Sequence, residues 1–217
     1  AGKEADVMVY SFQAVKNLPS ADSGMICFRE KEPDTLARQL SWLGISKDTY
    51  QRFNNKEGSY KWRYDVPNVG FKYHGNSIVA SIALVQLKYV DEDNKRREEL
   101  AQLYISHLQK EKRISIVNPA PGCSSSRHLF QIRVNKRDEI MQYFYDNQIY
   151  PGVHYIDNTQ YDMYRYASGT CPNAHKASDE IISLPLHLNL TDQDVTKVVD
   201  VLMKAIHITT FDDERFE

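Results

Sequence analysis

The stretch that decides the fold is Tyr-Ser-Phe-Gln-Ala-Val-Lys-Asn-Leu, residues 10–18, close to the start of the chain. Residues 7–11 read as a strand, and Gly-Met-Ile-Cys-Phe at 24–28 predicts a second strand. Lys16 is therefore expected in a loop between two strands. Burial disfavours the charged form of an amine, and a neutral amine forms Schiff bases with carbonyl compounds such as pyridoxal phosphate. The spacing also fits a strand-end lysine with its amine in solvent.

The order Ser-Phe-x-x-x-Lys-Asn-Leu resembles the cofactor-lysine segment of the DegT/DnrJ/StrS-type sugar aminotransferases, which use pyridoxal phosphate. Further segments match motifs of the same family: Asp-Ser-Gly-Met-Ile at 22–26, Gly-Phe-Lys-Tyr at 70–73 with the apolar run 82–87, Ser-Arg-His-Leu-Phe at 126–130, Gly-Val-His-Tyr at 152–155 and Ser-Leu-Pro-Leu-His at 183–187. Each motif is short. Together they occur in the family's order across residues 6–206, so the resemblance is to the family and to no single member.

The resemblance implies an aspartate-aminotransferase-like fold (fold type I), with α/β and α+β parts. Residues 1–110 are expected to be the C-terminal part of the cofactor-binding large domain with the interdomain helices. Residues 111–217 are expected to be the small α+β domain. Family members carry a large segment before the lysine, so this chain resembles about half of such an enzyme. The remainder is expected to be another polypeptide, or to have been lost by cleavage or truncation.

Lys16 is the catalytic residue that the resemblance implies. It would join the cofactor covalently and later act as the base that moves a proton from the amino donor's α-carbon. Some relatives are dehydratases with histidine at this position, so a lysine favours transamination.

Three further residues are predicted to bind the cofactor. Ser11 is expected at the phosphate, with a buried hydroxyl bonded to a nearby carbonyl as the alternative. Gln13 stands where many members have histidine. Asn76 is either a ligand of the partner subunit's cofactor phosphate, in place of a family asparagine that reaches across the dimer and whose position holds Lys72 here, or simply the N-cap of the following helix. His74 is a further candidate for the same role.

The substrate side is predicted to involve His154 and Tyr155, which follow a strand, and His128, which opens one. His128 is expected to help bind the donor's carboxylate. The alternative for the His154–Tyr155 pair is packing at a domain seam, and for His128 a structural role. No histidine has the spacing of a metal ligand, so no metal site is predicted.

Composition bounds the function further. The net charge is −2, which gives no general attraction for nucleic acid or for an anionic membrane. No segment of the sequence looks like a transmembrane helix or a signal peptide. The 3 cysteines are widely spaced and form no C-x-x-C pair, which fits a reducing compartment. We therefore expect a cytoplasmic protein.

The remaining pattern predicts several elements. A helix is expected from Pro33 to a stop at Gly44, and two helices from about residue 77 to residue 110 with an acidic break at 91–93. Residues 45–69 mix arginines and lysines with aromatic residues, as either a core-covering loop or a flap over a phosphate-bearing substrate. Thr191 to Asp194 resembles a capping box that opens the last helix.

The function that follows from the resemblance is transfer of an amino group, with glutamate as the expected donor, to a nucleotide-linked keto sugar for polysaccharide or antibiotic biosynthesis. A homodimer or a dimer of paired halves is expected. The alternatives are a dehydratase of the same family and a non-catalytic remnant that binds or senses a small molecule. The sequence does not indicate which sugar, carbon or nucleotide is involved.

Overall fold

The computed structural model describes residues 4–46 and 64–214, with side chains through residue 209. The chain forms two compact units, Ala1–Val90 and Asp91–Glu217. Most of the predicted flap at 45–69, including its arginines and lysines, lies outside the described residues.

The first unit begins with an antiparallel hairpin. Strand β1, Val7–Ser11, pairs with β2, Gly24–Phe28, and the register joins Ser11 to Gly24. Beyond the strands, the Phe12 amide donates to the Ser23 carbonyl at 2.8 Å, and the Ser20 amide donates to the Phe12 carbonyl at 2.7 Å. The loop between the strands is thus closed at its base by backbone hydrogen bonds, as the sequence predicts.

Two helices follow the hairpin. Helix α1 spans Lys31–Ser41, and α2 spans Ser77–Gln86. Gly44 lies just beyond α1 with a φ of +75°, and a β-carbon there would be 1.8 Å from the Asn68 carbonyl oxygen. A side chain at Gly70 would meet the Gly44 amide nitrogen at 2.1 Å. The two glycines therefore allow a close backbone approach that brings residues 68–71 against the end of α1.

The described part of the first unit buries no large hydrophobic side chain. Its buried residues are Ser20 and Gly44. In contrast, Val9 is 76 % exposed, Ile78 74 % and Val69 92 %. Helix α2 is apolar on nearly all sides and buries none of its residues. A helix that is hydrophobic all round is normally enclosed by other protein, so this surface requires a cover.

The second unit contains a three-stranded antiparallel sheet in the order β3-β4-β5 and four α-helices. The strands are β3 Ser115–Ile116, β4 Phe130–Arg133 and β5 Ile181–Leu184, and the helices are α3 Val90–Leu108, α4 Arg137–Asp146, α5 Pro172–Glu180 and α6 Asp192–Glu214. Two 3₁₀ turns, Asn158–Gln160 and Asp162–Ala167, precede α5.

The hydrophobic core lies on one face of this sheet. Phe130 and Ile132 of β4 and Ile182 and Leu184 of β5 alternate with polar residues, as a half-buried sheet requires. The same cluster includes residues from three of the helices: Leu100, Ala101, Tyr104 and Leu108 of α3, Ile140, Met141 and Phe144 of α4, and Val195, Val198, Val199, Val201, Leu202, Ala205 and Ile206 of α6. Gln131, Arg133 and Ser183 belong to the opposite face, which carries the polar residues used below.

The packing of α3 explains where the chain divides. The two compact units divide at the start of α3, because α3 contributes Leu100 and Tyr104 to the core of the second unit. The predicted domain boundary at residue 110 stays a prediction. The predicted acidic break at 91–93 is wrong in position. Helix α2 ends at Gln86, and α3 begins at Val90. The acidic residues occupy the first turn of α3, where their negative charges interact favourably with the helix dipole.

The last helix begins with the predicted capping box. The Thr191 hydroxyl accepts from the Asp194 amide at 3.1 Å, and the Asp194 carboxylate accepts from the Thr191 amide at 2.9 Å and from its hydroxyl at 2.7 Å. These hydrogen bonds lower the pKa of Asp194 from its ordinary value of 3.8. No helix within the described residues is both long and apolar enough to cross a bilayer.

We expect Thr191→Ala to lower the free energy of unfolding by about 1 kcal/mol, the usual cost of losing an N-cap. Because the pKa of Asp194 is lower in the folded protein than in the unfolded chain, its carboxylate stabilises the fold at pH values above the unfolded pKa. This stabilisation is lost as the pH falls through the folded pKa. The variant should therefore lose less stability than the parent on acidification. Denaturant unfolding at neutral and acid pH measures both effects. Thr196→Ala, which removes a mid-helix hydroxyl bonded to the Asp192 carbonyl, is the matched control. An unfolding free energy equal to that of the parent would contradict the capping role.

Candidate active site

Three of the predicted site residues lie on one short segment. Ser11 ends β1, and Gln13 and Lys16 follow in the hairpin loop. The Lys16 amide donates to the Gln13 carbonyl at 2.9 Å, and the Gln13 amide donates to Ser11 Oγ at 3.4 Å. Lys16 is half-buried and Ser11 exposed. The loop thus holds an amine-bearing and a hydroxyl-bearing side chain in a backbone fixed at its base.

Gln13 has a local role in this loop. Its side-chain oxygen accepts from the Val15 amide at 3.1 Å, so that oxygen stabilises the turn just before Lys16. Its predicted contact with the cofactor stays a prediction. Ser11 Oγ accepts from the Gln13 amide, which leaves the hydroxyl proton for donation to an oxygen of a phosphate.

Asn76 is the N-cap of α2. Its side-chain oxygen accepts from the amides of Ile78 and Val79 at 3.0 and 3.1 Å. This is the alternative that the sequence offered, and it uses only the oxygen, so the side-chain nitrogen keeps donors that the cap does not require. The phosphate contact predicted for Asn76 stays a prediction.

A groove of about 950 Å³ runs between the hairpin and α2. Tyr10, Phe12 and Gly24 line it from the hairpin, and Asn76 and Val79 from the start of α2. Most of its lining is apolar. Its size is that of pockets that enclose small organic molecules. The groove places Asn76 beside the strands that carry the lysine loop.

Lys72, His74 and Trp42 form a cluster in the same unit. Lys72 Nζ lies 3.5 Å from the centroid of the Trp42 ring, and the His74 ring meets that indole edge-on at 3.9 Å between centroids. Desolvation, followed by the charge of Lys72, lowers the pKa of His74 below 6.5. The Trp42 ring therefore holds the Lys72 ammonium. Sequence reasoning missed Trp42 because it lies far from Lys72 along the chain.

In the second unit His154 is held by two residues of the sheet. Its Nδ1 lies 2.9 Å from Ser183 Oγ, and its carbonyl accepts from Gln131 Nε2 at 2.7 Å. Tyr155 is 70 % exposed, and its ring lies edge-on to the imidazole at 4.9 Å between centroids. His128 lies two residues before β4 and is half-buried. These are the three residues predicted on the substrate side.

Asp157, which sequence reasoning missed, fixes the turn that follows Tyr155. Its carboxylate accepts from the Thr159 amide at 3.0 Å and from the Thr159 hydroxyl at 2.6 Å, and His175 Nδ1 lies 3.7 Å away. The bonds from Thr159 lower the pKa of Asp157 from 3.8. The order Asp-x-Thr is a common side-chain turn and was the available signal. Across residues 4–46 and 64–214 there is no group of three or more His, Cys, Asp or Glu that could hold a metal ion.

The lysine loop fits pyridoxal phosphate by the chemistry of its side chains. The Lys16 amine is the group that joins an aldehyde, and the Ser11 hydroxyl is a donor suited to a phosphate oxygen. The spare donors of Asn76 at the N-terminus of α2 also suit an anion, as the predicted contact with the partner subunit's phosphate requires. Lys16 and Ser11 are thus the residues that would hold the cofactor in this chain.

Comparison with known proteins agrees with these features. The sequence model of the DegT/DnrJ/EryC1/StrS aminotransferase family matches residues 1–203. An aminotransferase TlmJ from Streptoalloteichus hindustanus is 31 % identical, with a TM-score of 0.85 over 96 % of this chain and 54 % of that one. A sugar aminotransferase Spr1654 from Streptococcus pneumoniae, described as putative and solved in its PLP form, is 26 % identical, with a TM-score of 0.82 over 95 % of this chain and 53 % of that one.

A curated relative from Methanocaldococcus jannaschii, described as uncharacterized, is 30 % identical over 94 % of this chain and 55 % of its own length. The chain therefore spans about half the length of the relatives that it matches. The structural likeness confirms the predicted fold, that of the fold type I pyridoxal-phosphate transferases with mixed α/β structure.

Proposed function

Because the chain belongs to the DegT/DnrJ/EryC1/StrS aminotransferase family, whose members depend on pyridoxal phosphate, we propose that it forms the lysine-bearing part of a sugar aminotransferase. The amino donor is an amino acid, with glutamate as the expected one. The acceptor is a keto sugar on a nucleotide carrier. The observation that carries this proposal is Lys16, half-buried in the closed loop that follows Ser11.

Lys16 has two successive tasks in this proposal. With the cofactor bound, the Lys16 amine would hold it and, once replaced there by the donor's amine, would accept the proton of the donor's α-carbon. The loop supports both tasks, because the backbone on either side of Lys16 is fixed by hydrogen bonds. When bound, the cofactor supplies an electron sink for the carbanion that this proton transfer leaves.

Ser11 would orient the cofactor by donating a hydrogen bond to its phosphate, and Asn76 would donate to the phosphate held by the partner subunit. The Ser11 hydroxyl proton and the Asn76 side-chain nitrogen are both available for this, because neither takes part in the Gln13 and α2 contacts described above. Lys72, held on Trp42, adds a positive charge in the same unit. On the substrate side His154, Tyr155 and His128 contact the sugar or the donor.

The first partner in this proposal is the polypeptide that corresponds to the remaining length of the relatives, either in the same chain or as a separate chain. The second partner is another copy of the completed protein, which forms a dimer with it. The support for these partners is the first unit, whose described residues expose Val9, Ile78 and Val69 and include no buried large apolar side chain. Burial of that surface would supply the hydrophobic stabilisation that the described unit lacks. A cytoplasmic location is part of the proposal, because Cys27, Cys123 and Cys171 form no disulfide.

The proposal is tested with the chain completed by that polypeptide and mixed with pyridoxal phosphate. A visible absorption band should form, and glutamate should bleach it while releasing one equivalent of its keto acid. A nucleotide-linked keto sugar should then restore the band. A band that ignores amino donors while the sugar loses water would identify the dehydratase alternative. Failure to form any band in the completed protein would contradict the proposal.

A further inference from the structure

The segment 152–155 is held along the polar face of the sheet in the second unit. The Gly152 amide donates to the Ser183 carbonyl at 2.9 Å, and the Ser183 amide donates to the Gly152 carbonyl at 2.7 Å. Two residues later, Gln131 Nε2 donates to the His154 carbonyl at 2.7 Å. Gln131 and Ser183 are direct partners in the β4–β5 register. The backbone at His154 is therefore fixed by two neighbouring residues of the sheet.

The same residues fix the imidazole ring. Ser183 Oγ lies 2.9 Å from His154 Nδ1, and Ser183 is only 4 % exposed. A buried hydroxyl needs a hydrogen-bond partner, and this ring nitrogen provides it. The ring also lies against Gly152, where a β-carbon would be 2.7 Å from Cε1 and 3.3 Å from Nδ1 of His154. A side chain at residue 152 would therefore displace the imidazole from this position.

This arrangement leaves one ring nitrogen for a ligand. Nδ1 is bonded to Ser183, so Nε2 is the atom that a substrate can reach. A hydroxyl can donate or accept, so the Ser183 bond is compatible with either neutral tautomer. Whichever tautomer is present, Nε2 can hydrogen-bond to a hydroxyl group, which is itself both donor and acceptor. The exposed ring of Tyr155 beside it offers the apolar face and polar tip that suit the surface of a sugar.

We propose that Ser183, with Gln131 and Gly152, is a positioning residue that orients His154 so that its Nε2 hydrogen-bonds to a hydroxyl group of the sugar acceptor. This inference rests on the proposed function and deepens it, because it assigns His154 to the acceptor and not to the amino donor. Ser183 itself does not contact the substrate and acts only through the imidazole.

The first test measures the ring in the full chain by nitrogen-15 NMR. In Ser183→Ala the Nδ1 hydrogen bond is gone, so the ring-nitrogen shifts of His154 should move toward those of a free imidazole that exchanges between tautomers. The close contact between the ring proton at Cε1 and the Gly152 α-protons should weaken. Ser183→Thr keeps a hydroxyl and should restore the native ring shifts. Unchanged ring shifts in Ser183→Ala would overturn the positioning role.

The second test measures steady-state kinetics of the completed enzyme. Ser183→Ala should raise the KM for the keto sugar about tenfold, the usual effect of one misplaced hydrogen bond, and leave the KM for the amino donor within about twofold. Gly152→Ala should produce the same pattern, since its methyl group displaces the ring. If only the KM for the amino donor rose, or if both KM values stayed unchanged, the assignment of His154 to the acceptor would be overturned.

Ser178→Ala is the matched control. Ser178 is equally buried and its hydroxyl accepts from Gln160 Nε2 at 3.2 Å, away from the His154 contacts. This variant should leave both the ring shifts and the two KM values unchanged. If the completed wild-type enzyme had no transaminase activity, the proposed function would be contradicted. The proposed contact between His154 and the sugar would be contradicted as well. The ring-nitrogen shifts would still decide whether Ser183 positions His154.

Discussion

Replacing Lys16 with alanine is expected to abolish the visible absorption band of the cofactor and all transamination. The side chain that joins the aldehyde is removed, and with it the base for the donor's α-carbon. The expected loss of kcat is at least about a thousandfold, since both the covalent attachment and the base disappear. Absorption spectra and single-turnover release of the keto acid measure the two effects in the completed protein.

Two further variants separate charge from covalent chemistry. Lys16→Arg keeps a positive charge but cannot form a Schiff base, so it should lose the band as the alanine variant does. Lys31→Ala, in the first turn of α1, removes an exposed lysine of the same unit and should keep the band. An undiminished band in Lys16→Ala would show that another lysine carries the cofactor.

Replacing Tyr104 with alanine is expected to cause the largest loss of stability in the second unit, about 3–5 kcal/mol. Tyr104 is fully buried on α3, and its ring stacks on Phe130 at 4.9 Å between centroids. Its hydroxyl donates to the Pro185 carbonyl at 2.9 Å, two residues after Ser183. Burial raises the pKa of this hydroxyl, which stays protonated and keeps donating. Thermal and denaturant unfolding measure the loss.

Tyr104→Phe isolates the hydroxyl from the ring. It keeps the stacking on Phe130 but leaves the Pro185 carbonyl without this donor, so the expected loss is about 1–2 kcal/mol. Tyr150→Ala removes a ring that is 73 % exposed and should change stability by less than about 0.5 kcal/mol. Equal losses for Tyr104→Ala and Tyr150→Ala would contradict the assignment of the core.

Local chemistry explains the elements that the sequence predicted well. The cap at Asn76 and the capping box at Thr191 each depend on residues within three positions of one another. In α6 the apolar positions Val195, Val198, Val199, Leu202 and Ile206 have the spacing of one helix face, and all five are buried. Such features need no knowledge of the rest of the fold.

Elements without local signals were missed or misplaced. The Tyr-rich stretch 156–179 predicts a long loop with short helical turns, but Pro172–Glu180 is a nine-residue helix opened by a proline in its first turn. Residues 149–155 predict a strand broken at Pro151-Gly152, but they contribute only a single bridge between Gly152 and Ser183. That bridge exists because β5 lies alongside, and β5 was quoted only as a motif.

The residues of the candidate site likewise fall into those that the sequence could place and those that it could not. Ser11, Gln13 and Lys16 could be placed in one loop from their order, because strand, loop and strand are contiguous. The contacts of His154 with Gln131 and Ser183 could not, since these residues lie 23 and 29 positions away. Nor could Trp42 be matched with Lys72, which a bridge between their two segments brings together.

The sequence by itself determined the family, the cofactor and the lysine loop, because a covalent mechanism demands particular residue types in a short, ordered stretch. Only the tertiary structure decided which atoms of those residues remain for a ligand. Hydrogen bonding and close packing assign each polar atom to a partner in space, and a sheet brings together partners that the chain separates. For this reason His154 was identified as a ring held by Ser183 through Nδ1 from coordinates alone.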